Sequence, residues 1–439
     1  MMHRFWLVGL VMVATAADKE VLTLAEAVNL ALERHPDVGK ARAAADVLKG
    51  KIREVRAQAL PEVTIGSNAT RWRDPSLLNA SGLDKFPEEL RNALVPTGVN
   101  LFDYSISVKQ PLYTAGKVGT ALRLASIEAE GAGADIDRAE QDLALSTVKA
   151  FYGLMWAERY LKLVEETQQQ RMLQAEMART RFKNGVATEV DVLRTEVAVA
   201  NGQPDIVRAR NAIRQARALL NFYLVRPIDF PTQAAGEFEE KAWEQWNLEA
   251  LTTDAFRHRP ELSRLRIAER SAASQLELAK AESRMRMDFS GSYGIMSRLP
   301  ENLGDPKYAR WMFGVNFGLP VFDGFRRSGL VFQATANQRA ARLEREKAEQ
   351  QVRLGLQQGL DELAAARETV SAARETIRQA EKVMTMTQNN YKYGAATTLD
   401  VTAAEVALSE ARTNLLRGLH DYSVARATLQ WTMGQAPWE

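Results

Sequence analysis

A mostly helical fold, with long antiparallel coiled coils and four membrane-type β-strands per chain, is predicted by three features of the sequence. The chain repeats itself once. Its long proline-free stretches carry a seven-residue apolar period, and four segments of about ten residues switch to a period of two.

The repeat is plainest where Lys183-Asn-Gly-Val-Ala-Thr-Glu-Val-Asp-Val-Leu-Arg-Thr-Glu-Val-Ala198 returns as Lys392-Tyr-Gly-Ala-Ala-Thr-Thr-Leu-Asp-Val-Thr-Ala-Ala-Glu-Val-Ala407. The offset is 209, and nine of the sixteen positions are identical. The same offset pairs Gln110-Pro-Leu-Tyr113 with Leu319-Pro-Val-Phe322, so about 90 residues of each half share one register. Further upstream Leu24 to Val38 matches Leu248 to Leu262 at an offset of 224, which gives the first half fifteen extra residues. Their place by composition is the polar, proline-containing stretch Asp74 to Gly98, a loop. Each half then reads as helix, strand, loop, strand, long helix, turn, helix. The first repeat occupies 18–226, a linking segment 227–246, and the second repeat 247–439.

No proline occurs between Leu112 and Gln203, or between Val321 and Ala436, so very long helices are permitted. From Lys117 to about Lys183 is some 67 residues. At ~1.5 Å per residue that is roughly 100 Å of helix, which must project as a rod or tube. In the second half Leu356, Leu363, Val370, Ile377, Met384 and Tyr391 recur every seven residues, with Ala366, Ala373, Ala380 and Thr387 between them. After the turn Val401, Leu408, Leu415, Tyr422 and Leu429 resume the pattern, alternating with Ala404, Ala411, Gly418 and Ala425. The first half repeats it as Val192, Val199, Ile206, Ile213 and Leu220, with Ala209 and Ala216. Such a period predicts coiled-coil packing, and the small residues a narrow seam. A solid rod and a hollow tube both fit.

The turns make antiparallel hairpins, with tips near 183–190 and 392–399. Gly185 and Gly394 sit where a long helix ends and suit a left-handed C-cap. Thr188 and Thr397 offer N-cap hydroxyls to the returning helices. Pro204, where the second half has Thr413, is expected to kink or break its helix near Asn201-Gly202.

The strands are predicted at about 62–72, 99–109, 286–296 and 309–319. Phe102, Tyr104, Ile106 and Val108 share one face, opposite Asp103, Ser105, Ser107 and Lys109. Trp311, Phe313, Val315 and Phe317 lie opposite Met312, Gly314, Asn316 and Gly318. Ten residues match a tilted strand crossing the hydrocarbon layer, one face to lipid and one to water. A small soluble sandwich would need a second sheet, for which no further strands are evident. Four strands cannot close a barrel, and an open edge in lipid costs several kcal/mol per unpaired group. Self-association follows. Two copies would give eight strands and three would give twelve; the arithmetic alone does not choose.

Composition excludes several functions. The net charge of +2 lacks the basic face of a nucleic-acid binder, and the absence of cysteine removes disulfides, thiolate metal sites and cysteine nucleophiles. His35, His258 and His420 are far apart without ligand spacing, and Met384 and Met386 sit on a core stripe, so no metal or cofactor is expected. Gly131-Ala-Gly133 follows no strand and lacks the lysine of a phosphate loop, and there is no nucleophile elbow. Residues 1–17 read as a secretion signal. Met1 to Arg4 are positive, Phe5 to Val13 apolar, and Ala14-Thr15-Ala16 supply the small residues of a cleavage site.

The two tip motifs, Phe182-Lys-Asn-Gly-Val-Ala-Thr-Glu-Val-Asp191 and Tyr391-Lys-Tyr-Gly-Ala-Ala-Thr-Thr-Leu-Asp400, resemble those of the TolC family of outer-membrane efflux and secretion ducts. The strand-to-helix motif Pro111-Leu-Tyr-Thr-Ala-Gly-Lys117, echoed in Pro320-Val-Phe-Asp-Gly324, adds to the likeness. The resemblance covers nearly the whole mature chain. It implies a homotrimer with a twelve-stranded barrel in outer-membrane lipid and a long periplasmic α-barrel. It also implies a periplasmic adaptor and an inner-membrane transporter of RND or ABC type as partners. On this resemblance Asp191, Asp400 and Tyr391 are gate residues. Lys183, Gly185, Val186, Thr188, Lys392, Gly394, Ala395 and Thr397 form the adaptor-docking tips. The chain departs from the family pattern at Ala396, often basic, and at Ala403, often acidic, so Arg194 or Lys392 could supply other gate links. Physically, Asp191 and Asp400 suit an acidic ring in a pore or a favourable place at a helix N-terminus. Tyr391 suits a gate or core packing. A structural periplasmic coiled-coil protein is the reading from another class.

Overall fold

In the computed structural model of the protein, residues 20–72, 85–90, 98–238, 240 and 247–436 are described. The signal segment lies outside them, as do most of the 74–98 loop and residues 241–246 of the linking segment. In chain order come β1 (Val21–Leu22), α1 (Leu24–Arg34), α2 (Pro36–Ala57), β2 (Glu62–Trp72) and β3 (Val99–Tyr113). They are followed by α3 (Lys117–Lys183), α4 (Glu189–Tyr223) and β4 (Gln233–Ala234). The second half adds α5 (Leu248–His258), α6 (Pro260–Ala281), β5 (Arg286–Ser297), β6 (Ala309–Gly318), α7 (Arg326–Lys392) and α8 (Thr398–Thr432). Among the described residues no helix is long and apolar enough to cross a membrane.

Helices α3 and α7 each hold 67 residues, and α4 and α8 each hold 35, so the repeat is preserved to the residue. Strand β3 runs four residues beyond the expected end at Lys109. It carries a register shift between Pro111 and Tyr113, where the proline cannot donate to the ladder. Pro204 does not break α4, which continues through it as one helix.

Two compact units divide the chain. One holds the described residues up to Ala44, Ala132–Arg264 and those from Arg345 on; the other holds Ala45–Gly131 and Leu265–Glu344. In the second unit the strands form one antiparallel sheet in the order β2-β3-β5-β6. Its register carries the period of two across all four strands. Ile65 pairs with Ile106, Ile106 with Tyr293, and Tyr293 with Trp311. Val63, Val108, Phe102, Tyr104, Phe313, Val315 and Phe317 fall on that same apolar face by alternation. Trp311 is 70% exposed and Phe317 65%, far more than a covered core allows. The opposite face holds Thr64, Ser107, Ser292 and Met312 in one row, and Asp103 bonds Arg310 across it. Among the described residues the outer edges of β2 and β6 have no strand beside them.

The first unit has two equivalent cores. Ala27, Ala31, Phe151, Leu154, Leu220 and Leu224 build one from α1, α3 and α4. Leu251, Ala255, Leu356, Leu363, Tyr422 and Leu429 build the other from α5, α7 and α8. The helices that start them are capped alike, Thr23 accepting from the Glu26 N–H and Asn247 from the Glu249 N–H. Val28, Ala144, Val148 and Ala427 join the two repeats.

Candidate functional site at the hairpin tips

Each tip is built by the same local chemistry. At the first, Gly185 has φ 73°, the Val186 N–H donates to the Arg181 carbonyl at 2.9 Å, and the Gly185 N–H to that of Phe182 at 2.9 Å. At the second, Gly394 has φ 80°, Ala395 donates to Asn390 at 2.8 Å and Gly394 to Tyr391 at 3.2 Å. Both are Schellman endings, which need a residue free to turn left-handed. Lys183 and Lys392 are the last helical residues and stand exposed, their charge favourable at a helix C-terminus.

Thr188 and Thr397 then start the returning helices with reciprocal capping boxes. Thr188 Oγ1 donates to Asp191 Oδ2 at 2.7 Å and accepts from the Asp191 N–H at 3.3 Å. Thr397 Oγ1 donates to Asp400 Oδ2 at 2.7 Å and accepts from the Asp400 N–H at 3.2 Å. Both aspartates therefore act at helix ends. The Thr188 hydroxyl, then its N–H, hold the Asp191 carboxyl below its usual range, and Thr398 and Arg194 add to this. For Asp400 the Thr397 N–H leads and the hydroxyl follows.

Tyr391 is where the two tips meet. Arg181 Nη1 donates to the Tyr391 carbonyl at 2.7 Å, and the guanidinium lies 4.4 Å from the centre of its ring. Thr398, buried at the start of α8, donates its hydroxyl to Tyr391 Oη at 3.4 Å. Asp191 is also lowered by Thr398 of the second hairpin, whereas the hydrogen bonds of Asp400 among the described residues are to Thr397 of its own cap. Beside them Leu173, Met177, Arg181, Val186 and Tyr393 line an open groove of about 1100 Å³.

Sequence reasoning missed a second polar link between the hairpins. Arg171 of α3 donates from Nε to Glu405 Oε1 of α8 at 3.2 Å, and Glu405 is only 6% exposed. Close by, Gln168 Nε2 donates to the Val199 carbonyl at 2.9 Å, in the turn before Pro204. Gly202 makes room for that amide, because a Cβ there would fall 1.8 Å from Gln168 Oε1. The available signals were a lone glycine inside a helix, and a glutamate next to the Ala404 core position.

A family model for the outer membrane efflux protein matches residues 27–224 and 251–435. The chain is 22% identical over 437 residues to the alkaline protease secretion protein AprF of Pseudomonas aeruginosa, covering 98% of this chain and 88% of that one. It is 21% identical over 449 residues to the outer membrane protein TolC of Escherichia coli, covering 98% and 85%. The crystal structure of the Campylobacter jejuni CmeC outer membrane channel superposes with a TM-score of 0.79 at 15% identity, over 94% of this chain and 85% of that one. Two matched segments, one per repeat, account for most of the sequence. The chain belongs to the outer membrane efflux protein family, and is a non-enzymatic, TolC-type channel protein of the outer membrane.

Proposed function

We propose that the protein is the exit duct of a tripartite efflux pump. Three copies join their sheets into one twelve-stranded barrel, and the helices continue it as a tube that conducts small molecules passively outward. The observation that carries this is the four-stranded sheet with one exposed apolar face and two free edges. In lipid each unpaired backbone group costs several kcal/mol, so the edges need neighbours. The hairpin tips are then the closing end. Asp191, Asp400 and Tyr391 hold it through caps and the Arg181 contact, and the exposed groove beside Val186 and Tyr393 receives a periplasmic adaptor that recruits an inner-membrane transporter. The fifteen-residue excess of the first repeat and the linking segment 227–246 are insertions between two copies of one unit. In a planar bilayer the purified protein gives discrete conductance steps; a protein that never conducts is not a duct.

A second reading, the exit duct of a one-step protein secretion system, is favoured by the likeness to AprF, a protein named for alkaline protease secretion. A deletion strain separates the two. Sensitivity to toxic small molecules with normal culture supernatants supports efflux, and loss of a secreted protein without such sensitivity supports secretion.

A further inference from the structure

The hairpins α3–α4 and α7–α8 of one chain meet at a buried ion pair that the caps and the Tyr391 contact do not use. Arg171 stands twelve residues before the end of α3, about three helical turns from the tip. Its Nε reaches Glu405 Oε1 at 3.2 Å, with the two side chains 20% and 8% exposed. Glu405 Oε2 is buried without a hydrogen-bond partner, as are Gln168 Oε1 and Gln174 Nε2 of the facing helix. A buried carboxylate that fills half its bonding capacity is poorly compensated in its charged form.

We propose that Glu405 and Arg171 form a proton-operated latch between the two hairpins. With the Glu405 carboxyl neutral the hairpins stay packed, and with it ionised they are eased apart. The group facing Glu405 from α3 is Arg171, with Gln174 beside it; α4 contributes Gly202, whose Cβ would sit 2.9 Å from Arg171 Nη1. From α7 comes Met384, packed on Val401 and Ala404 next to the glutamate. Other nearby charges are committed elsewhere: Glu196 of α4 to Arg179 at 2.7 Å, and Arg412 of α8 to Glu381 of α7 at 3.0 Å.

The sign follows from linkage. Burial pushes the Glu405 carboxyl above its usual range, and Arg171, with a smaller contribution from Gln174, opposes this only in part. The packed arrangement therefore holds the proton more tightly than a separated one, in which the carboxyl would be hydrated. Acid favours whichever state binds the proton better. Packing is thus strongest at low pH and weakens as pH rises through the raised value. A single proton changes the ratio of packed to separated hairpins by at most about tenfold per pH unit.

The repeat provides an internal control. Glu196 occupies the position equivalent to Glu405, but it is 38% exposed and its arginine lies within its own hairpin. Hydrogen exchange on the purified, detergent-solubilised protein tests the latch without requiring transport. After correction for intrinsic chemistry, amides of 168–176 and 403–409 exchange faster as pH rises through the raised Glu405 value, by up to about tenfold per unit. Glu405→Gln removes that dependence and keeps slow exchange throughout, while Glu196→Gln keeps the wild-type profile. The latch is overturned if Glu405→Gln retains the wild-type pH dependence, or exchanges faster than wild type at neutral pH. The consequence for conduction rests on the proposed duct. If exchange behaves as stated but conductance ignores pH in both proteins, the latch stands and the closing role of the tips fails.

Discussion

Arg181 of α3 binds Tyr391 of α7 twice, once through the backbone carbonyl at 2.7 Å and once over the ring at 4.4 Å. Among the described residues the tyrosine hydroxyl makes only the longer contact to Thr398, at 3.4 Å. Arg181→Ala therefore loosens the tips, with a local loss of about 1–3 kcal/mol, while Tyr391→Phe keeps both arginine contacts. Single-channel recording reads the difference: raised conductance or open time for Arg181→Ala, near-wild-type behaviour for Tyr391→Phe. A larger effect from the phenylalanine would place the gate in the hydroxyl instead.

The caps make a separate prediction about the acids. If Asp400 acts through its helix end, Thr397→Val reproduces the effect of Asp400→Ala on conductance. If it acts as a ring of charge, only Asp400→Ala alters cation selectivity. Thr188→Val likewise costs about 1 kcal/mol at the first tip. Because both carboxyls are held below the ordinary aspartate value of about 3.9, their contribution is complete above that pH and fades as pH falls through the lowered values. Exchange protection of 188–193 and 397–402 accordingly drops only in strong acid, the opposite trend to that of the Glu405 region.

Gly202→Ala is expected to destabilise, although alanine normally gains about 1 kcal/mol over glycine inside a helix. The new Cβ would displace Gln168, whose amide is 3% exposed and bonded to the Val199 carbonyl. Breaking that bond and stranding the buried amide costs about 1–3 kcal/mol. A lowered midpoint of thermal unfolding, at matched protein concentration, checks it.

The sheet edges can be mapped because the chain has no cysteine. Antiparallel pairing of β2 with β6 of a neighbouring copy places polar-face positions together. Thr64→Cys combined with cysteine at Met312, Gly314 or Asn316 forms intermolecular disulfides at one or two of these positions. Combined with Trp311→Cys or Phe313→Cys, on the apolar face, it forms none. Cross-linking without regard to face would refute ordered edge pairing.

The elements with a strong local signal were legible in the sequence. The tip glycines, the threonine caps and the period-two strands each follow from a few neighbouring residues, and the repeat supplied every one of them twice. The Arg171–Glu405 pair was not legible, for a physical reason. Glu196 and Glu405 share the motif Glu-Val-Ala and both meet an arginine of α3, yet one is half-exposed and the other buried. Which of them is covered depends on how the hairpins pack, and no local pattern records that. The expected break at Pro204 is absent for a like reason: α4 continues through the proline, with Gln168 of α3 bonded to the Val199 carbonyl beside it.

The number of chains in the detergent-solubilised particle, measured by light scattering with the detergent subtracted, bears most directly on the account. A mass of three chains is predicted, since only neighbouring copies can pair the outer edges of β2 and β6. A stable single chain, soluble without detergent, would contradict it.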